Sequence, residues 1–298
     1  MRPATFVAAL AVAAVLALPA PALAWGTDAH RYIMSRAIDL LPAELKPFFE
    51  RNRAELVVRT VDPDTWRLMG WEDDPNHFID FGMKELGVFP FAGLPREYDA
   101  ALQKFGAETM KRVGNLPWRE AEMFGNMRRA FEGFATGAPY AGSNVVLFAG
   151  AAAHYIQDAH QPLHATINYD GRLTGNDGIH ARFERDLFER FESRLSVTPP
   201  RPVPIRNPRD TAFDVLLASY QLVDTLLAAD NEAVAGKDEY NDAYYEAFFA
   251  RVRPVLERRI GESISATAGL IAGAWELAGK PAPTIKPARP LQKVGKRP

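Results

Sequence analysis

The sequence predicts an all-α protein built as a single multi-helix domain, and three observations predict it. Apolar residues recur at three- and four-residue intervals through stretches such as 28–41, 98–113 and 118–134, the period of helices with one buried face. Strand-like alternation is scarce. No linker divides the chain, and its length suits one large domain.

The elements follow in order. Arg2 is followed by an apolar run over residues 6–18 and then by Ala22, Leu23 and Ala24. A basic start, a short apolar core and small residues at the cleavage point read as a signal peptide over 1–24. The mature chain is then expected to begin at Trp25 and to be secreted or periplasmic. A transmembrane anchor is the lesser reading, because a spanning helix needs about 20 apolar residues. The domain is expected over 25–279. The region 57–91, rich in Pro, Gly and Trp, reads as a long loop system over the site rather than as core. Ser143 opens an alanine-rich, charge-poor run over 144–163 that predicts a buried central helix, with a stop or kink at Pro162. Further helices are expected over 178–195, 210–229, 239–252 and 254–278, parted by the proline-rich stretch 199–208 and by Gly236. After Glu276, the residues Lys280, Lys286, Arg289, Lys293, Lys296 and Arg297 sit among prolines without an acid. That composition predicts a disordered, solvated basic tail over 280–298 rather than a membrane or nucleic-acid arm.

The chain has no cysteine, so an exported form would draw its stability from a packed core, from bound metal, or from both. Its net charge of -2 excludes a broad electropositive field for duplex nucleic acid.

Three of the six histidines fall between residues 154 and 164. His154 and Asp158, four apart, project from one helix face, the geometry by which two ligands reach one metal ion. Asp158 has two oxygens and can bridge two ions. Beyond Pro162 the chain turns, so His164 can serve a neighbouring ion. His180 and Glu184 repeat the four-residue spacing and make a zinc half-site. One such pair alone is more often a surface hydrogen bond; two of them, one inside an apolar helix where unpaired polar groups are costly, point to metal. His77, in a loop with acids nearby, fits a third contribution. At the mature start, the amine and carbonyl of Trp25 can chelate a cation in a five-membered ring that His30 would complete.

Together these motifs resemble the superfamily that unites bacterial zinc-dependent phospholipases C with single-strand-specific zinc nucleases, over roughly the first 160 residues of the mature chain. The resemblance implies a trinuclear zinc cluster in a cleft. Trp25 and His30 would bind one Zn2+; Asp64, His77, His154 and Asp158 a second, with Asp158 bridging; and His164, His180 and Glu184 the third. Asp64 is preferred to Asp62 because the order from Pro63 to Arg67 resembles the nuclease pattern, with an Arg three residues after the ligand Asp. His160 is left as an outer-shell or structural residue. The implied chemistry is phosphodiester hydrolysis by a zinc-bridged hydroxide, with Asp64 and Asp158 as the catalytic carboxylates.

The substrate divides the two branches. Glu184, the short step from His164 to His180, the Leu163-His164-Ala165 wording and Asp28 resemble phospholipases C. The five-residue step from Trp25 to His30 and the Asp64–Arg67 spacing are closer to nucleases. Phe78 and Asp80 fit either a base or a lipid headgroup. The reading leans to a phospholipid headgroup, with single-stranded nucleic acid as the alternative and no obligate protein partner. A secreted zinc-stapled helical domain without catalysis is the reading from another class.

Overall fold

The computed structural model describes residues 25–283; the leader over 1–24 and the tail from 284 lie outside the described residues. The described residues contain helices and no strand. In chain order the helices are α1 (Thr27–Asp39), α2 (Lys46–Arg51), α3 (Arg53–Arg59), α4 (Asp62–Leu68), α5 (Tyr98–Phe105), α6 (Ala107–Val113), α7 (Leu116–Ala135), α8 (Ala141–Ala159), α9 (Ile179–Ala181), α10 (Leu187–Phe191), α11 (Pro208–Tyr220), α12 (Val223–Val234) and α13 (Asp242–Leu277). Short 3-10 turns at Asp74–His77 and Pro162–Ala165, and a π turn at Arg182–Asp186, carry functional side chains.

Helix α8 is the axis of the domain. Every residue from 149 to 159 is buried, and α1, α3, α7, α11 and α13 pack around it. Small side chains make this possible. A Cβ on Gly150 would stand 2.9 Å from the Cβ of Arg59, so glycine lets the end of α3 close onto α8, and Thr60 arrives beside the α8 surface. The helix begins at Ala141, slightly before the expected Ser143 start, and stops at Ala159. Pro162 then opens the 3-10 turn, where its missing amide costs nothing.

Several expected boundaries move. Region 57–91 is not a loop system outside the core: it holds α4 and two 3-10 turns, and Ile79, Phe81, Met83, Leu86 and Phe91 are buried. Its apolar residues are too irregularly spaced to show a period, yet they meet in space, as Phe81 and Phe91 do with stacked rings 4.6 Å apart. The helical pattern over 98–113 is two helices, α5 and α6, parted at Gly106 with φ +76°. The expected helix over 210–229 is likewise two, α11 and α12. Conversely, 239–252 and 254–278 form one helix, α13, which runs through Pro254. A mid-helix proline costs about 3 kcal/mol; burial of Phe248, Phe249 and Val252 before it and Leu256, Ile260 and Ile264 after it offsets that cost.

The run Pro208–Val234 is long and apolar enough to cross a membrane by length and composition; here it folds as α11 and α12, with α11 against α7 and α8, and α12 against α13. Order also passes the expected boundary at 279. Lys280 pairs with Glu276 at 3.0 Å, and the Trp275 indole donates to the Pro281 carbonyl at 2.8 Å.

Candidate metal centre

The C-terminal half of α8 gathers side chains from three other parts of the chain. On α8 itself, the four-residue spacing sets His154 Nε2 3.2 Å from Asp158 Oδ2. Helix α1 brings His30, whose Nε2 lies 3.3 Å from Asp158 Oδ1 and whose ring stacks on His154 at 4.3 Å. The 3-10 turn after Asp73 delivers His77, with Nδ1 3.0 Å from both Asp158 Oδ2 and His154 Nε2. From α4, Asp64 Oδ1 stands 3.9 Å from His154 Nε2 and 4.0 Å from His77 Nδ1. Asp158 thus turns one oxygen to His30 and the other to His77 and His154.

A further group adjoins this one. Beyond Pro162, His164 Nε2 approaches Glu184 Oε2 at 3.7 Å, and His180 Nε2 approaches the same oxygen at 2.9 Å. His164 Nδ1 lies 3.9 Å from Asp158 Oδ2, which links the groups. Glu184 sits in the π turn, a helix irregularity that often marks functional positions.

The outward contacts decide what faces inward. His154 Nδ1 donates to the Thr60 carbonyl at 2.8 Å, His164 Nδ1 to the His77 carbonyl at 2.7 Å, and His30 Nδ1 to Gln157 Oε1 at 2.6 Å. Those oxygens can only accept, so each ring nitrogen must carry a hydrogen, and a neutral ring then presents a lone pair from its other nitrogen. Several inward atoms, close as they stand to one another, make no well-directed hydrogen bond among the described residues: His30 Nε2, Asp64 Oδ2, Asp158 Oδ1 and His180 Nε2. Leaving such a group unmet costs about 1–3 kcal/mol. Ring nitrogens and carboxylates converging in a buried space could hold a cation. Three buried groups qualify, each with its ligand atoms within 4.8 Å of one another: His30, His154 and Asp158; Asp64, His77 and His154; His164, His180 and Glu184. The donor set of imidazole and carboxylate suits a divalent transition metal.

The electrostatics agree. Burial lowers the His77 pKa, but hydrogen bonds to Asp158 and Asp73 outweigh it and push the ring up to about 9. Burial raises Asp158, yet the charges of His154 and His164 hold it well below the usual carboxylate range. Burial likewise raises Glu184, while His180 and His164 hold it down to about 2. Without a cation, His77 is held protonated and Asp158 and Glu184 ionised by opposite charge alongside; a bound cation would take the place of the His77 proton.

The remaining expected residues fall as follows. Trp25 is fully buried, packed on Phe183 at 6.0 Å, and its indole donates to the Gln157 carbonyl at 2.8 Å, next in the chain to Asp158. Asp62 does not join the cluster; it pairs with Arg59 at 3.1 Å. His160 stays outside it too: Nδ1 donates to the Ile156 carbonyl at 2.7 Å, its own carbonyl accepts from Arg259 at 2.9 Å, and burial with the Arg259 charge pushes its pKa down to about 3. It is a neutral structural ring tying the end of α8 to α13.

Sequence reasoning passed over the residues that hold the ligands. Asp73 meets His77, Gln157 meets His30, and Gln161 donates to Glu184 at 2.9 Å. A signal existed for two of them: Gln157 and Gln161 are amides in an otherwise apolar buried run, where an amide needs a partner. Asp73 lies four residues before His77, a spacing that the 3-10 turn makes productive.

A hollow of about 580 Å³, bordered by Asn76, Asn115, Tyr98, Trp118 and Arg119, lies beside the loop that carries His77 and not over the cluster side chains. The cluster is most open at Asp64, His164 and His180, which keep 4–5% exposure, whereas His30, His154 and Asp158 keep none. No protein-family model and no curated protein matches this chain.

Proposed function

We propose that the chain is an exported zinc-dependent phosphodiester hydrolase of phospholipase C-like type, a member of the superfamily that also contains the single-strand-specific zinc nucleases. The observation that carries this reading is the convergence of inward lone pairs and carboxylates on ring nitrogens that are already committed outward. In this reading Trp25, His30 and Asp158 hold one ion, Asp64, His77, His154 and Asp158 a second, and His164, His180 and Glu184 a third. Zinc bound there supplies Lewis acidity, easing deprotonation of water and offsetting charge on a phosphoryl oxygen.

The chain's own groups do the rest. Asp158, with Oδ1 toward His30 and Oδ2 toward His77 and His154, would serve both neighbouring ions. Asp64 has Oδ2 free of hydrogen bonds, while Arg67 approaches its Oδ1 at 3.4 Å; this fixes the carboxylate so that its free oxygen can orient an attacking water and take its proton. The third group has three side-chain ligands, His164, His180 and Glu184.

For the substrate, exposed apolar side chains stand on both segments that leave the site: Leu68, Met69 and Trp71 after Asp64, and Ile167, Tyr169 and Leu173 after His164. Exposed apolar side chains on segments that adjoin the ligands favour an amphiphilic substrate. A nuclease is the second reading, favoured by half-buried Phe78 beside Asp80, whose carboxyl burial and the Asp74 charge raise to about 7, able as an acid to bond a base edge.

The deciding experiment assays protein starting at Trp25 on phosphatidylcholine vesicles and on single-stranded DNA and RNA, with chelator and with added zinc. Headgroup release that chelator abolishes and zinc restores is the expected result. Cleavage of nucleic acid alone selects the second reading, and zinc-loaded protein inert on every phosphodiester overturns both.

A further inference from the structure

Four histidines of the cluster have an outward hydrogen-bond partner, and only one of those partners is charged. His154 and His164 meet backbone carbonyls and His30 meets an amide. His77 Nε2 meets a carboxylate, Asp73 Oδ2, at 3.2 Å. Asp73 is buried and is itself held at both oxygens. Tyr155 donates its hydroxyl to Oδ2 at 2.7 Å; Asn76 donates to Oδ1 at 2.8 Å and Arg119 to the same oxygen at 3.1 Å. With its lone pairs engaged on the far side of the His77 ring, Asp73 is no ligand of the cluster.

We infer that Asp73 is the positioning residue of the His77 centre: it accepts the Nε2 hydrogen, fixes the tautomer whose Nδ1 lone pair faces His154 and Asp158, and makes His77 the most electron-rich imidazole ligand. This rests on the metal reading above. The physical basis is general, since a carboxylate behind an imidazole orients the ring and raises its basicity toward the metal. The frame around Asp73 comes from three elements. Tyr155 is on α8, Arg119 is on α7, and Asn76 is in the same 3-10 turn as His77. Arg119 Nε also approaches the Tyr155 hydroxyl at 3.2 Å. The carboxylate therefore cannot swing away from the ring without breaking bonds to each of them.

The test measures zinc uptake against a competing chelator and the His77 Nε2–H form by nitrogen-15 NMR in zinc-loaded protein, neither of which needs a substrate. Asp73→Asn is expected to weaken one zinc equivalent by about 10–100-fold, to leave the equivalent held by His164, His180 and Glu184 unchanged, and to lose the fixed Nε2–H form of His77. In a His77→Ala background the same change is expected to have no further effect; an equal further loss there would mark a general structural role and overturn the inference. So would an Asp73→Asn protein with wild-type zinc competition and tautomer. If Asp73→Asn does not fold, Tyr155→Phe decides: it keeps the carboxylate but removes one of its anchors, and a several-fold weakening in the same equivalent is expected, with no change overturning the inference. Wild-type protein that takes up zinc but hydrolyses nothing sinks the proposed function and leaves Asp73 standing on these measurements. Protein that takes up no zinc sinks both.

Discussion

The network around Arg182 and the cluster around Asp158 are both buried and both rich in ionisable groups, and they differ in how their polar atoms are matched. Arg182 sends Nη2 to both oxygens of Asp230 at 3.1 and 3.0 Å, and Nε to the Tyr244 hydroxyl at 2.9 Å. Tyr244 and Asn176 donate to the same carboxylate, and the Tyr240 ring lies 4.0 Å from the guanidinium. Cation meets anion and donors meet acceptors, with no vacancy for a ligand. Around Asp158, the ring nitrogens of five histidines crowd the carboxylates of Asp64, Asp158 and Glu184, acceptors outnumber hydrogens, and four of the atoms make no hydrogen bond. Burial alone therefore does not distinguish a structural network from a ligand site. The sign of the mismatch does, and a surplus of inward acceptors is what a site able to hold a cation presents.

The largest effect that would sharpen this contrast is at Asp158. Asp158→Asn is expected to cost more activity and more zinc than the roughly 100-fold that loss of an outer-shell partner brings, because in the proposed reading two centres share this residue; chelator competition and phosphodiester assay check it, and near wild-type zinc uptake would break the comparison. Asp230→Ala is expected to act on stability instead. It leaves the Arg182 charge buried without its partner, at about 3–5 kcal/mol, read by denaturant unfolding, while the folded fraction keeps its zinc stoichiometry. Next come the two neighbouring acids of α4. Asp64→Asn should fall at least about tenfold in activity, whereas Asp62→Asn, which loses only the half-exposed pair with Arg59, should stay within about twofold; equal effects would place neither residue in the site.

The smallest effect concerns a buried acid that belongs to neither network. Glu120, on α7, has both carboxyl oxygens without a side-chain partner, and burial raises its pKa well above the usual carboxylate value. Folded protein therefore keeps the proton while unfolded chain loses it. The raised pKa means full stability below the unfolded value and progressive loss as pH rises toward the folded one. Glu120→Gln should match wild type near pH 4 and gain on it above pH 5, by about 1.4 kcal/mol per pH unit at most, measured by unfolding at a series of pH values. A constant difference across pH would show that Glu120 is ionised in the fold.

How much of this was legible follows from distance along the chain. The pairs His154 with Asp158 and His180 with Glu184 are within one helical turn, so spacing alone placed them on shared faces. The stop after α8 could be read from Pro162, whose ring and missing amide act locally. The core role of Ile79, Phe81 and Phe91 could not, because their burial depends on helices that arrive from elsewhere. Pro254 misled for the same reason: its local cost is real, and packing along α13 exceeds it. Asp73 is next to visible site residues, yet nothing in its neighbourhood says that Tyr155 and Arg119 will hold it.

By itself the sequence determined an all-helical chain, an apolar central helix, and two imidazole–carboxylate pairs suited to metal, since each depends on backbone periods of a few residues. The tertiary structure alone decided that His30 stacks on His154, that Asp64 and not Asp62 faces the cluster, and that Asp73 stands behind His77. Those facts depend on the close approach of α3 to α8 at Gly150 and on the convergence of α1, α4 and α8, and contacts between distant segments are selected by packing of the whole core rather than by any local pattern.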